Sequence, residues 1–147
     1  MPEALPLAFE IAGFRMSVLH RQFPNATDYW DGNWLVVACV CEAPGAKVKA
    51  DGPFVHLSEV AQLARKLEAL QAGASKSEKI DLIEPELAIK FEAGARGDLG
   101  FEVRLTPNHL KQSHRFQFDI DLSYLPAAIQ QCKAILVAFQ VRDAAAE

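Results

Sequence analysis

The sequence predicts an α+β fold, in which a largely antiparallel sheet of about six to eight strands carries two α-helices packed on one face. Short segments of alternating apolar and polar residues predict the strands, and two longer segments with apolar residues at helical spacing predict the helices. The order along the chain is strands, helix, strands, helix, without the repeating βα units of a parallel doubly wound sheet. At 147 residues, the chain is expected to form a single domain, 1–147.

The first part of the chain is expected to form strands. Residues 7–20 alternate around Gly13, which is typical of one bent strand or of two strands joined by a bulge or turn. Residues 33–43 are apolar at both alternating sets of positions, so this strand is expected to be central and covered on both faces. A turn at Pro44 and Gly45 then leads into a short edge strand.

The first helix is predicted from Ser58, a suitable N-cap, to Gly73, which suits the residue after a helix C-terminus. Glu59 is assigned mainly to the polar side of this helix. Its apolar stripe consists of Val60, Leu63, Ala64, Leu67 and Leu70.

The second helix is predicted to begin near Pro126, because proline suits the first helical position. Its buried stripe is expected to be Ile129, Cys132, Leu136 and Phe139, with Ile135 beside it. Residues 142–147 are expected to be a frayed tail.

Three strands with clean alternation lie between the two helices, in residues 86–94, 99–106 and 115–124, and a fourth is expected in residues 79–85. They predict a meander with one apolar face and one polar face. Counting across the turns places Lys90 opposite Glu102, Glu102 near Asp119, and Arg104 near Gln117. This interleaved charge ladder is either a solvated face that prevents edge-to-edge pairing of sheets or an acidic-leaning docking surface for a basic protein.

Composition indicates which class of partner and which cellular compartment to expect. The net charge of −4 disfavours nucleic acid, which requires a basic patch, and is compatible with a basic protein partner. Three cysteines give no disulfide framework, and Cys39 and Cys41 are expected to share a strand face as small core residues. We expect a cytoplasmic protein, because residues 1–13 lack the features of a signal peptide and no segment is apolar enough to span a membrane.

No motif predicts a catalytic residue, a metal ligand or a cofactor. The histidines, at positions 20, 56, 109 and 114, form no metal-binding pattern, and glycine-rich phosphate loops and nucleophile elbows are absent. Asp28 and Asp31 lie beside aromatic residues, which invites comparison with glycosidases. The favoured interpretation is that they cap turns through hydrogen bonds to the backbone.

The segment TDYWDGNWLVV, residues 27–37, contains both tryptophans around the turn signal Asp31-Gly32. We expect Tyr29 and Trp34 to anchor this loop against the sheet, with Trp34 buried, while Asp28 and Asn33 hold the turn by backbone hydrogen bonds. Trp30 is the candidate for an exposed partner contact, because tryptophan is enriched among interface hot spots.

Three segments of the chain resemble the WapI-type immunity proteins of bacteria. They are YWDGNWL (residues 29–35), EPEL (84–87) and DLSYL (121–125), and their order and spacing cover nearly the whole chain. The resemblance implies a non-catalytic protein that binds and occludes the toxic domain of a contact-dependent toxin, a tRNA-cleaving nuclease in the named case. The candidate contact residues for such a basic toxin domain are Trp30, Asp31, Glu102, Asp119 and Asp121.

Two other functions remain open at this point. A small hydrolase or isomerase with dispersed catalytic residues would need a deep pocket lined by Asp28, Asp31 or a histidine with a shifted pKa. An assembly or scaffold subunit would use an exposed strand edge for self-association. The oligomeric state is left open, and neither nucleic acid nor a membrane is expected as a partner.

Overall fold

The computed structural model describes residues 7–143. It contains eight strands: β1 (Leu7–Ile11), β2 (Phe14–Arg21), β3 (Trp34–Ala43), β4 (Ala46–His56), β5 (Ser77–Asp81), β6 (Leu87–Ala93), β7 (Asp98–Leu105) and β8 (Arg115–Asp121). Helix α1 (Leu57–Gln71) follows β4, and helix α2 (Leu125–Ala138) follows β8. Short 3₁₀ turns at Asp31–Asn33 and Leu122–Tyr124 precede β3 and α2.

The eight strands form two four-stranded antiparallel sheets in the orders β1-β2-β3-β4 and β5-β6-β7-β8. The predicted α+β class, strand number and antiparallel pairing are confirmed, but the strands divide between two sheets instead of forming one. Each half of the chain has the same order, four meandering strands and then a helix. Helix α1 contacts β4, β5 and α2, while α2 also contacts β1, so the helices join the two halves.

The apolar faces of both sheets and of both helices contribute to one core. Phe9 and Phe14 from the first sheet and Phe91 and Phe101 from the second are fully buried. Burial of each such side chain stabilises the fold by about 1.5–3 kcal/mol. The predicted alternation of β6 and β7 is confirmed, because their inward side chains are buried: Leu87, Ile89, Phe91, Leu99, Phe101, Val103 and Leu105.

The cysteines are core residues, as predicted for Cys39 and Cys41. All three are free and buried. Burial raises the pKa of Cys41 to about 11 and that of Cys132 to about 12, and it raises the pKa of Cys39 further. The thiols therefore remain protonated and unreactive at neutral pH.

The strands of the first sheet differ from expectation in two respects. Strand β3 is central, but only its inward face is fully buried, while Val36, Ala38 and Val40 on the other face are half-buried. Strand β4 lies at the predicted edge and is 11 residues long instead of short. It continues past Gly52 and Pro53, where its register with β3 shifts.

The start of α1 corrects two expectations. His56, and not Ser58, is the N-cap, and its side chain accepts a hydrogen bond from Ser58 N at 3.2 Å. Glu59 is buried, whereas the sequence placed it on the polar side. Its carboxylate accepts from His56 N at 2.7 Å and from Ile83 N at 2.8 Å, so it caps the helix and also holds the segment after β5. Gly73 follows the helix with a φ of +73°, as predicted.

The C-terminal segment is more ordered than predicted. Helix α2 carries Pro126 in its first turn as expected, but Ile135 is fully buried, while Leu136 and Phe139 are only partly buried. Arg142 was expected to belong to a frayed tail, yet its backbone N donates to Asn33 Oδ1 at 2.8 Å. Residues 144–147 of that predicted tail lie outside the described residues. No helix within residues 7–143 is long and apolar enough to cross a membrane.

Replacement of Glu59 tests the joint at the start of α1. Glu59→Ala leaves two buried N–H donors without an acceptor and should lower the free energy of unfolding by about 2–4 kcal/mol. Urea denaturation followed by circular dichroism measures this loss. Glu68→Ala, on an exposed part of the same helix, is the matched control and should change stability by less than about 0.5 kcal/mol. Equal losses in the two variants would contradict the role of Glu59.

Glu59 also predicts a pH dependence. Burial raises the pKa of its carboxyl above the ordinary value of 4.5, although hydrogen bonds from His56 N and Ile83 N oppose this shift. A carboxyl with a raised pKa in the folded state favours folding most when it is protonated, and this contribution is lost as the pH rises through the folded pKa. The stability of the wild type relative to Glu59→Gln should therefore decrease as the pH rises above 4.5. A constant or increasing difference would contradict the raised pKa.

Candidate partner-binding site

The aromatic loop, residues 22–33 between β2 and β3, surrounds the ring of His56. Ring centroids of Tyr29, Trp30 and Trp34 lie 5.3, 5.3 and 5.0 Å from that of His56. Trp30 stacks on the imidazole with an interplanar angle of 30°, and it meets Trp34 edge-on at 5.5 Å. Trp34 is 7% exposed and Trp30 is 50% exposed, so one face of Trp30 is available to a partner.

His56 is the buried centre of this cluster. Its Nε2 lies 3.2 Å from Trp30 O and its Nδ1 lies 2.7 Å from Ser58 Oγ, so the loop and the start of α1 share one side chain. No role was predicted for His56 from the sequence. Its position directly before the apolar stripe of α1 was the available signal, since capping residues precede helices.

Hydrogen bonds hold the backbone of the aromatic loop. Asp28 Oδ2 accepts from Asp31 N at 2.9 Å, and Asn33 Nδ2 donates to Tyr29 O at 2.7 Å and to Arg142 O at 2.6 Å. Arg21 Nη1 donates to Gly32 O at 2.5 Å. The loop is therefore fixed to the C-terminal segment, and Trp30 and Asp31 are presented on a rigid support.

Arg21 and Arg142 lie close together beneath this loop. Burial and the Arg142 guanidinium lower the pKa of Arg21. Arg142 Nη1 donates to Ala26 O at 2.5 Å, and Arg21 also donates to Gln140 O. Backbone carbonyls thus compensate the proximity of the two cations, and both arginines serve to hold the loop.

The second candidate surface is the polar face, formed by the outward side chains of β5–β8. Lys90 lies opposite Glu102, as predicted. The predicted pairing of β7 with β8 is wrong by two residues, because Glu102 lies opposite Gln117, Arg104 opposite Arg115, and Gly100 opposite Asp119. In this register the apolar residues of the two strands lie opposite each other, with Phe101 opposite Phe118 and Val103 opposite Phe116. Thr106 Oγ1 accepts from His114 N at 3.1 Å where the connecting loop closes.

This register separates charges along the polar face. One end, the basic end, contains Lys79, Lys90, Arg104 and Arg115 together with Asp81 and Glu102. The other end, the acidic end, contains Glu92, Asp98, Asp119 and Asp121. The face is therefore polarised, whereas the sequence predicted interleaved charges.

Ion pairs differ between the two ends. Glu102 lies 3.0 Å from Arg115 and 3.6 Å from Arg104, and its side chain is only 17% exposed. At the acidic end, Asp119 makes no ion pair with any residue of 7–143, and Asp121 accepts a hydrogen bond from Ser123 N at 2.8 Å. Glu92 of the acidic end is paired with Lys90 at 2.9 Å, so Asp119 is the carboxylate of this end that is most available to a partner.

Surface depressions lie away from Asp28 and Asp31. One of about 310 Å³ covers the basic end of the polar face, and one of about 420 Å³ lies beside the β1–β2 turn. Neither is lined by a histidine. Within residues 7–143, no group of three or more histidine, cysteine, aspartate or glutamate side chains could hold a metal ion.

The predicted contact residues occupy two surfaces. Trp30 and Asp31 lie in the aromatic loop beside the first sheet, and Glu102, Asp119 and Asp121 lie on the polar face of the second sheet. On the polar face, Glu102 forms ion pairs with two arginines, while Asp119 and Asp121 are exposed.

Comparison with solved structures gives low similarity. The MRP1/MRP2 structure from Trypanosoma brucei has 16% identity and a TM-score of 0.49, with 91% of this chain and 86% of that chain covered. A guide-RNA-binding protein complex has 14% identity and a TM-score of 0.49, with 90% and 91% covered. WHY1 from Arabidopsis thaliana has 11% identity and a TM-score of 0.46, with 96% and 88% covered. Similarities at this level establish no shared function.

The family comparison is more specific. No curated protein matches the chain. Residues 9–140 match the family described as "Immunity protein WapI-like family", and this range includes the aromatic loop, both sheets and both helices. Because the match spans nearly the whole sequence, the chain belongs to the WapI-like immunity protein family.

Proposed function

We propose that this protein neutralises a cognate toxin domain by binding it and covering its active site, without catalysing a reaction. Membership of the WapI-like immunity family over residues 9–140 carries this proposal. The toxin domain is proposed to be a basic nuclease, and the encounter to take place in the cytoplasm of the cell that is protected.

The acidic end of the polar face supports a basic partner. A nuclease must hold phosphates in an electropositive cleft, and carboxylates that enter such a cleft attract it and exclude RNA. Asp98 and Asp121 lie directly opposite each other on neighbouring strands. Like charges in that arrangement destabilise a sheet, a cost that a cationic partner would offset. Hydrogen bonds from Ser123 lower the pKa of Asp121, so its carboxylate remains ionised.

The aromatic loop supports a second contact. Trp30 is held by its stack on His56, and half of its side chain is exposed. Because the indole is already held in place, it would lose little conformational freedom when it contacts a partner. Asp31 is exposed beside it, with its backbone N held by Asp28. A toxin that contacts this loop would therefore meet a preformed surface.

Several contacts support binding over catalysis. Asp28 accepts a backbone hydrogen bond, which is the turn-capping role. The buried carboxylate of Glu59 is occupied by two backbone donors and lies within the core. The depressions on the polar face and at the β1–β2 turn are open and are lined by neither Asp28 nor Asp31. These groups serve structure, so the proposal assigns no catalytic residue.

The direct test first searches the genes beside this one in the native host for a toxin-like domain and then uses that domain. Co-expression should restore growth to cells that produce that domain, and the two purified proteins should form a stoichiometric complex. Titration calorimetry measures the complex, and an RNA-cleavage assay measures inhibition. Failure to bind and failure to rescue would together reject the proposal.

Charge reversal tests the acidic end. Asp119→Lys combined with Glu92→Lys should slow association with the toxin domain by about tenfold or more at low salt, because electrostatic steering is lost. Stopped-flow measurement at several salt concentrations gives the association rate. The control, Glu42→Lys combined with Asp51→Lys, makes the same charge change on exposed residues of the first sheet and should leave the rate nearly unchanged. Equal slowing in both variants would indicate that only net charge matters.

Removal of the exposed indole tests the aromatic loop. Trp30→Ala should weaken toxin binding by about tenfold or more if Trp30 is a hot spot. The melting temperature should fall only slightly, because half of this side chain is already exposed. Val137→Ala, an exposed apolar residue on α2, is the control and should bind normally. Normal binding by Trp30→Ala would exclude the loop from the contact surface.

A further inference from the structure

Helices cover one edge of each sheet and leave the other open. At β1, Glu10 N donates to Gln131 Oε1 of α2 at 2.8 Å. At β5, Lys66 Nζ of α1 donates to Lys79 O at 2.6 Å. Strands β4 and β8 are the remaining edges. In the described structure no hydrogen bond reaches the outer backbone of β8, or that of β4 before His56.

The two open edges differ in regularity. Strand β4 contains Gly52, with a φ of +156°, and Pro53, which lacks an N–H, and its register with β3 shifts nearby. Such features prevent an edge from pairing with another strand. Strand β8 has neither glycine nor proline, and it pairs with β7 without a shift from Arg115 to Asp121. Of the two edges, β8 is the one suited to accept a further strand.

Alternation identifies the outward backbone groups of β8. Gly94 N donates to Asp98 O. The backbone N–H and C=O groups of the even-numbered residues of β7 therefore point towards β6, and those of the odd-numbered residues point towards β8. Phe101, an odd-numbered residue, lies opposite Phe118, so the even-numbered residues of β8 bond to β7. The outward N–H and C=O groups therefore belong to Arg115, Gln117, Asp119 and Asp121.

We propose that two copies of this chain associate through antiparallel pairing of β8 with β8, on a two-fold axis at Phe118. This register places Arg115 opposite Asp121 of the partner subunit and Gln117 opposite Asp119 of the partner subunit. By symmetry each pair occurs twice, and each pair joins outward-pointing backbone groups. The β5–β8 sheets of the two copies then form one continuous sheet.

Charge and the length of the paired segment together favour this register over its neighbours. A shift of two residues in one direction places the two Asp119 carboxylates opposite each other, which is unfavourable. A shift in the other direction also forms two arginine–aspartate pairs, between Arg115 and Asp119, but it shortens the paired segment to about five residues and leaves Asp121 beyond it. Only the register centred on Phe118 pairs all seven residues of β8 and forms two arginine–aspartate pairs.

The inward side chains favour the same arrangement. Phe118 is partly exposed, while Phe116 and Ile120 are each 8% exposed. Pairing places the two Phe118 rings next to each other and Phe116 next to Ile120 of the partner subunit, so apolar area at the open edge is removed from water. Asp119 faces a neutral glutamine in this arrangement and forms no ion pair across the axis, whereas Asp121 pairs with Arg115 of the partner subunit.

Proline substitutions in the purified 147-residue protein test whether the open edge of β8 mediates dimerisation. Sedimentation equilibrium should show a concentration-dependent dimer for the wild type. Gln117→Pro removes an outward N–H at the centre of the pairing and should give a monomer with a normal near-ultraviolet circular dichroism spectrum. Lys49→Pro makes the matched change on β4 and should remain dimeric. A wild type that stays monomeric at all concentrations, or a Gln117→Pro variant that dimerises normally, would overturn the proposal.

A charge exchange decides the register and remains informative if the proline variant fails to fold. Arg115→Asp and Asp121→Arg should each raise the dimer dissociation constant by roughly tenfold or more, since each places like charges opposite each other. The double variant restores an opposite-charge pair across the axis and should recover dimerisation. Loss without recovery in the double variant would reject this register.

Discussion

The shared core constrains everything that this protein can present to a partner. Both sheets bury their apolar faces in it, and both helices cover it, so the outward faces of the sheets and helices, the loops and the open edges are what remains accessible. Even the β1–β2 turn is part of this constraint. A Cβ on Gly13 would lie 2.0 Å from Glu42 O and 2.9 Å from the ring of Phe118, so a side chain there would collide with both sheets.

The start of α1 connects the core to the aromatic loop. His56 ends β4, caps α1 and lies against Trp30, while Glu59 accepts hydrogen bonds from His56 N and Ile83 N. The orientation of Trp30 therefore depends on the same few groups that join α1 to the strands on either side of it. A partner that contacts the loop would therefore contact a surface whose conformation is held by the core.

The sequence predicted what depends on local periodicity. Alternation along β6 and β7 identified their inward residues, because a strand with one solvated face must alternate. It could not show that α1 separates two sheets, since strand pairing across a helix leaves no local pattern. Glu59 and His56 were misassigned or missed because a polar residue near a helix start is equally consistent with solvent exposure and with capping. The register of β7 with β8 could not be fixed from periodicity, because a shift of two residues leaves the same side chains on the same face.

The register of β7 with β8 determines how charge is distributed over the polar face. Under the register counted from the sequence, Glu102 would lie near Asp119 and Arg104 near Gln117, and the charges would alternate over the polar face. The actual register places Arg104 and Arg115 together around Glu102 and leaves Asp119 beyond them. It therefore creates the acidic end. The distribution of charge that would attract a cationic partner thus follows from the register of β7 with β8.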